Sequence, residues 1–158
     1  RQSIYTFASE GFRLGWRLVN DITWIKPDAP PNFTGRMLTE STERLLWFCP
    51  SGSGWYYDLT HAKSINCGIN FRDVWTFRVD RGNRLHPSQK PLALMERAIA
   101  LFTPPNAVVL DCFAGSGTTL VAARNLGRHF IGCDSSPEYV ELANKRLAKP
   151  WQPALLEG

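Results

Sequence analysis

The chain has 158 residues, 44% hydrophobic and 20% charged, with a net charge of +4. That is enough chain for one domain with a real core, and the balance excludes wholesale disorder. Arginine outnumbers lysine, which suits planar contacts to phosphate or carboxylate; the charges are scattered, so a polyanionic partner is permitted but not required.

In chain order, "RQSIYTFASEGF" predicts the tail of a helix, with Ile4, Phe7 and Ala8 on one face and Gly11 as its stop. "DITWIKP" is rich in β-formers and ends at Pro27, so a strand is expected there. "PDAPPNFTG" is a loop on composition. "TERLLWFCP" predicts a second strand, closed by Pro50 and the turn "SGSG". From there to Leu85 the chain is expected to be irregular, with one strand around Val74 to Phe77. "HPSQKPLALMERAIALFTPP" then places Leu92, Met95, Ile99 and Phe102 on one helix face, opened by Pro91 and stopped by Pro104. "AVVLDCF" predicts a fully apolar strand ending in an acid, "SGTTLVAARNLG" a helix capped by Gly127, and "HFIGCD" another strand. "SPEYVELANKRLAK" predicts a last helix with Ser136 at its N-cap and Lys145 and Arg146 at the end the dipole favours. This βαβα half implies a parallel sheet covered by helices, hence an α/β fold.

Cys49, Cys67, Cys112 and Cys133 are far apart and form no C-x-x-C pair. A zinc site or disulfide framework is not expected, and Cys112 and Cys133 are read as buried in strands with reduced, cytoplasmic-type thiols. No apolar run is long enough to span a bilayer, and the first residues show no leader pattern.

The most informative stretch is "VVLDCFAGSGTTLVAARNLG", from Val108 to Gly127. In an open parallel sheet, ligands bind beyond the carboxyl ends of the strands. Gly115 and Gly117 allow a tight turn and a close approach of backbone to ligand, and the amides of Ser116, Thr118 and Thr119 open a helix whose N-terminus suits an anionic group. Asp134 ends the next strand, where a carboxylate can accept from two ribose hydroxyls or simply cap the following helix. A dinucleotide fingerprint fails because position 120 is Leu, and a phosphate-binding P-loop fails because no Lys-Ser or Lys-Thr follows the turn.

"LDCFAGSGTT" resembles the Asp-x-Phe-x-Gly-x-Gly motif of S-adenosylmethionine-dependent methyltransferases. With "HPSQKP" just upstream, and "DITWIKP", "PPNFTGR", "TERLLWF" and "RDVWTF" before that, nearly the whole chain resembles the beta-class DNA amino-methyltransferases of bacterial restriction-modification systems. The resemblance implies a Rossmann-like fold and methyl transfer from S-adenosylmethionine to adenine N6 or cytosine N4 in double-stranded DNA. It implies a cytoplasmic, nucleoid-associated protein and leaves a homodimer as an option. Asp111, Phe113, Gly115, Ser116, Gly117 and Thr118 would form the pocket for the methionine part of the cofactor. Asp134 would bind its ribose, and Ser88 and Lys90 would reach its carboxylate. Ser88 could equally be a simple N-cap and Lys90 a solvated helix-start lysine. His86 is read as a structural hydrogen-bonding residue, and no metal is implied.

The family's chemistry needs one more motif: Asp, Asn or Ser, then Pro-Pro, then an aromatic residue. Its polar groups accept hydrogen bonds from the target amine, and the ring stacks on the flipped base. Here Ala29 precedes Pro30-Pro31 and Asn32 follows, while Thr103 precedes Pro104-Pro105 and Asn106 follows. Neither pair fits, so no catalytic residue is expected in this chain. The strand carrying that motif and a neighbouring strand are expected before Arg1, which leaves the fold incomplete and makes the catalytic portion, in the same or another chain, a required partner. The expected organisation is 1–50, the end of the catalytic-half sheet; 51–85, an irregular target-recognition segment; 86–150, the cofactor-binding half; and 151–158, a tail. In the second segment Lys63, Arg72, Arg78, Arg81 and Arg84 are candidate DNA contacts, interleaved with Trp55, Tyr56 and Tyr57. The alternative there is a surface loop whose aromatics pack inward. For the whole chain, the alternative is a catalytically incomplete homologue acting as a cofactor- or DNA-binding module.

Overall fold

A computed structural model describes residues 2–80 and 89–150. In chain order the elements are α1 (Gln2–Arg13), β1 (Arg17–Ile25), β2 (Thr42–Cys49), α2 (Leu59–Ser64), β3 (Val74–Thr76), α3 (Leu92–Phe102), β4 (Val108–Asp111), α4 (Thr118–Asn125), β5 (His129–Gly132) and α5 (Pro137–Leu147). They form two compact units. One holds the chain up to Trp55 together with Ile69–Val79; the other holds Tyr56–Gly68 and the chain from Asp80 onward.

In the first unit β1 is central, antiparallel to β2 and parallel to β3. The second half of β1 buries every other residue, so Ile22 and Trp24 turn inward. Trp24 lies in register with Trp75 of β3. Each buried indole N–H is satisfied by a nearby carbonyl: Trp24 donates to Phe77 O at 2.9 Å and Trp75 to Arg72 O at 2.9 Å. The predicted stop of α1 is corrected. The helix runs through Gly11 to Arg13 and turns at Gly15, whose φ is +75°. Gly11 serves packing instead, since a Cβ there would lie 3.1 Å from the Phe48 ring. The connection between β1 and β2 is irregular, as its composition predicts, and is closed by Lys26 N donating to Ser41 O at 2.7 Å.

In the second unit β4 and β5 pair in parallel, Val108 opposite His129 through Asp111 opposite Gly132. Helices α3 and α4 cover one face, where Ile99, Ala122 and Ala123 pack with Leu92, Met95, Val109, Leu126 and Phe130. The other face is open among the described residues, so the helices expected to cover the parallel sheet cover one side of it. Val108, Leu110 and Ile131 are 59%, 62% and 58% exposed. Cys112 and Cys133 are likewise exposed rather than buried, because each lies just past the end of its strand. Residues 51–80 are less irregular than predicted, since α2 forms there besides β3. Asp58 caps α2 by accepting from His61 N at 2.8 Å, and Asp58 N donates to Leu101 O at 2.9 Å. The segment is also divided between the two units.

Candidate functional site

The site of the second unit is built at the carboxyl ends of β4 and β5. The parallel ladder extends one step past the strands, with Cys133 N donating to Asp111 O and Ala114 N to Cys133 O, both at 3.0 Å. The chain then turns. Asp111 Oδ1 accepts from Phe113 N at 3.0 Å, and Gly117 N donates to Ala114 O at 2.7 Å. Gly115 and Gly117 have φ of +50° and +76°, conformations that favour glycine.

Asp134 locks this turn from the neighbouring strand. Its Oδ2 accepts from Gly115 N at 2.8 Å and its Oδ1 from Ser136 N at 2.9 Å. The carboxylate thus holds the glycine turn and the entrance to α5 together. Ser136 occupies the predicted N-cap, but its side chain makes no capping hydrogen bond.

Beneath the turn lies a polar network. Ser116 and Thr118 are 3% and 6% exposed. Ser116 Oγ donates to Gln89 Oε1 at 3.1 Å. Arg146 Nη1 reaches Ser116 O at 2.6 Å, Ser116 Oγ at 3.1 Å and Thr118 Oγ1 at 3.0 Å. Burial lowers the Arg146 pKa from its ordinary value, opposed by the carboxylate of Asp80.

These elements enclose a concavity of about 280 Å³ lined by Gln89, Lys90, Asp111, Phe113, Ala114, Gly115, Ser116, Thr118 and Thr119. Small-ligand pockets usually span roughly 300–1,000 Å³, so this hollow matches one end of such a ligand. The amides of the first turn of α4 lack intrahelical acceptors, which makes the floor anion-compatible. Phe113, 83% exposed, offers a ring face at the rim. The Cys133 thiol is pushed up by partial desolvation first, then by Cys112 and the carboxylates of Asp111 and Asp134. That suppresses its thiolate, so it is poorly suited to act as a nucleophile.

Of the residues singled out from sequence, Asp111, Phe113, Gly115, Ser116, Thr118 and Lys90 line one hollow. Gly117 does not line it; its missing side chain makes room for α5, since a Cβ would lie 2.7 Å from Ala143 Cβ. Ser88 lies outside the described residues, as do His86, Arg81 and Arg84. Gln89 and Arg146 were missed. Gln89 stands inside the "HPSQKP" segment and was available as a signal; Arg146 was read only as a cation at the dipole-favoured end of its helix.

The other basic candidates are exposed but do not share a unit. Lys63 is on α2, while Arg72 and Arg78 flank β3. The aromatics of that segment are engaged locally. Trp55 lies under the Arg17 guanidinium at 4.3 Å, Tyr56 Oη donates to Asp58 Oδ2 at 3.2 Å, and Tyr57 stands 6.3 Å from the Phe102 ring. Among the described residues no helix is long and apolar enough to cross a membrane.

Residues 1–145 match a family model described as DNA methylase. The chain is 41% identical over 156 residues to the type II methyltransferase M2.LlaDCHI of Lactococcus lactis subsp. cremoris. It is 40% identical over 154 residues to the type II methyltransferase M2.DpnII of Streptococcus pneumoniae. The alignments cover 93% and 92% of this chain and 58% of each relative, so the chain spans little more than half the length of the curated relatives it matches. Among solved structures, the M1.HpyAVI–SAM complex superposes with a TM-score of 0.79 at 34% identity, covering 94% of this chain and 71% of that one. The cytosine-N4-specific PvuII DNA methyltransferase superposes at 0.77 over 93% of this chain and 57% of its own, a likeness of fold at 22% identity. The family match over residues 1–145, together with relatives at about 40% identity, shows that the chain belongs to the N6/N4 DNA methylase family.

Proposed function

We propose that this chain is the cofactor-binding and recognition part of a DNA methyltransferase that uses S-adenosylmethionine to methylate adenine N6 or cytosine N4 in double-stranded DNA. The setting is bacterial restriction-modification, in the cytoplasm at the nucleoid. The observation that carries the proposal is the hollow at the glycine turn. Its positive-φ glycines, buried hydroxyls and helix N-terminus fit an amino-acid-bearing ligand on a chain of this family. Within it, Asp111, Gly115, Ser116 and Thr118 surround the methionine part, and Lys90 approaches the carboxylate, with Ser88 as a second expected contact. Asp134, just past the end of β5 and hydrogen-bonded to the glycine turn, is the proposed acceptor for the ribose hydroxyls. When bound, S-adenosylmethionine supplies a methyl group on a sulfonium, which an exocyclic amine attacks directly.

This chain's own residues hold and orient; the groups that accept from the target amine belong to a Pro-Pro-aromatic motif that we assign to the rest of the protein. The open apolar face of β4 and β5, with Val108, Leu110 and Ile131, suits coverage by that portion. Arg72, Arg78, Arg81, Arg84 and Lys63 are the proposed DNA phosphate contacts, and a homodimer is compatible with this arrangement.

Calorimetry with S-adenosylmethionine tests the cofactor site: the expected result is one-site binding, and no binding by the full-length protein overturns the proposal. Methyl transfer from labelled S-adenosylmethionine to DNA, followed by digestion and identification of the modified base, tests the activity. A second reading, a homologue that binds without transferring methyl, is favoured by one observation: neither Pro-Pro pair here is followed by an aromatic residue.

A further inference from the structure

We propose that Arg146 is a positioning residue of the cofactor site, fixing the Ser116–Gly117–Thr118 turn in the shape that receives the amino-acid end of the ligand; this rests on the cofactor assignment above. One guanidinium nitrogen is shared among three acceptors, all on the first residues of the turn and of α4. Two of these belong to Ser116, whose hydroxyl passes its own hydrogen bond on to Gln89. Arg146 therefore ties α5, the glycine turn and the segment before α3 into one network directly under the hollow.

A purely structural tether would be placed differently, and the molecule contains one for comparison. Arg124, on α4, donates to Leu147 O at 2.6 Å and to Lys149 O at 2.9 Å, at the C-terminus of α5. There the helix dipole favours a cation. Arg146 joins the same two helices from the opposite end, at the N-terminus of α4, where the dipole disfavours one. A guanidinium stays protonated even when its pKa is lowered. The Asp80 carboxylate and the last turn of α5 offset part of this charge; what sets Arg146 apart is that its three acceptors lie on Ser116 and Thr118, both of which line the hollow.

The test compares three ligands on the full-length protein by calorimetry: S-adenosylmethionine, S-adenosylhomocysteine and 5′-methylthioadenosine, which lacks the amino-acid end. Arg146→Met is expected to weaken the first two by about 10- to 100-fold, the range for losing hydrogen bonds to a charged group, and to leave the third within about twofold. Arg146→Lys should recover part of the loss, because an ammonium still donates to the same acceptors. Arg124→Met, the tether control, should lower the melting temperature without changing the ratio of affinities. Equal weakening of all three ligands in Arg146→Met, no weakening at all, or the same selectivity in Arg124→Met overturns the proposal. If Arg146→Met does not fold, Arg146→Lys decides: selective weakening supports the proposal and uniform or absent weakening overturns it. Wild-type protein that binds none of the three ligands removes the cofactor assignment itself, and this proposal with it.

Discussion

The sharpest structural prediction concerns Gly117→Ala. Gly117 is the N-cap of α4 at φ +76° and ψ 25°, and an added Cβ would lie 2.7 Å from Ala143 Cβ and 3.2 Å from Ala143 Cα. Two costs are separable. Holding an L-residue in the left-handed region costs about 1–2 kcal/mol. Forcing a methyl into a closed helix contact costs about 1–3 kcal/mol more. Restricting the unfolded chain returns about 0.4–1 kcal/mol. The net destabilisation is therefore about 2–4 kcal/mol, a large share of the roughly 5–15 kcal/mol that holds a domain together. The steric part can be isolated with Ala143→Gly, which removes the nearer contact at a helix-propensity cost of about 1 kcal/mol. In the double variant the two changes should be less than additive by about 1–3 kcal/mol, while the backbone part persists. Urea denaturation of the wild type, both single variants and the double variant measures this. A Gly117→Ala protein within about 0.5 kcal/mol of wild type, or strict additivity with Ala143→Gly, would refute the packing argument.

Three further outcomes are expected. Gly132→Ala should destabilise by about 1–3 kcal/mol, because its Cβ would lie 2.4 Å from Leu120 Cδ1; combined with Leu120→Ala, the two losses in urea melts should be less than additive. Asp58 has its pKa lowered, first by the backbone hydrogen bond from His61, so it stabilises the fold above its unfolded value of 3.8 and that contribution is lost as pH falls through the folded value. Asp58→Asn should therefore flatten the acid limb of a stability–pH profile below about pH 4; an unchanged limb would count against the cap. If Arg72 and Arg78 contact phosphates, replacing both with Gln should reduce the salt slope of DNA binding by about 1.8 in log–log terms, and an identical slope rules out both contacts.

The glycine turn was legible because its constraints are local. Two glycines after an acid-ended strand announce a positive-φ turn, and the structure has it between β4 and α4. The α3 and α5 periodicities were legible for the same reason, since helix faces repeat within a few residues. What escaped were properties set by distant partners. Gly11 looked like a helix stop because glycine is ambiguous in sequence, ending a helix or making room in one, and only Phe48 from β2 resolves it. Arg146 looked like no more than a helix-end cation because nothing near it in sequence reveals acceptors 28 and 30 residues upstream.

The run "AVVLDC" carries the same lesson into the fold. A continuous apolar strand signals that both faces meet apolar matter, and α3 and α4 here cover only the face of Val109 and Phe130. Val108, Leu110 and Ile131 stand on the other face, each more than half exposed. Single exposed apolar residues need no explanation, but three side by side across adjacent parallel strands form the kind of surface that proteins bury. Parallel sheets occur almost only with both faces covered. The composition of β4 and β5 is therefore that of strands from the middle of a two-faced sheet, and their apolar character answers to a layer that α3 and α4 do not supply.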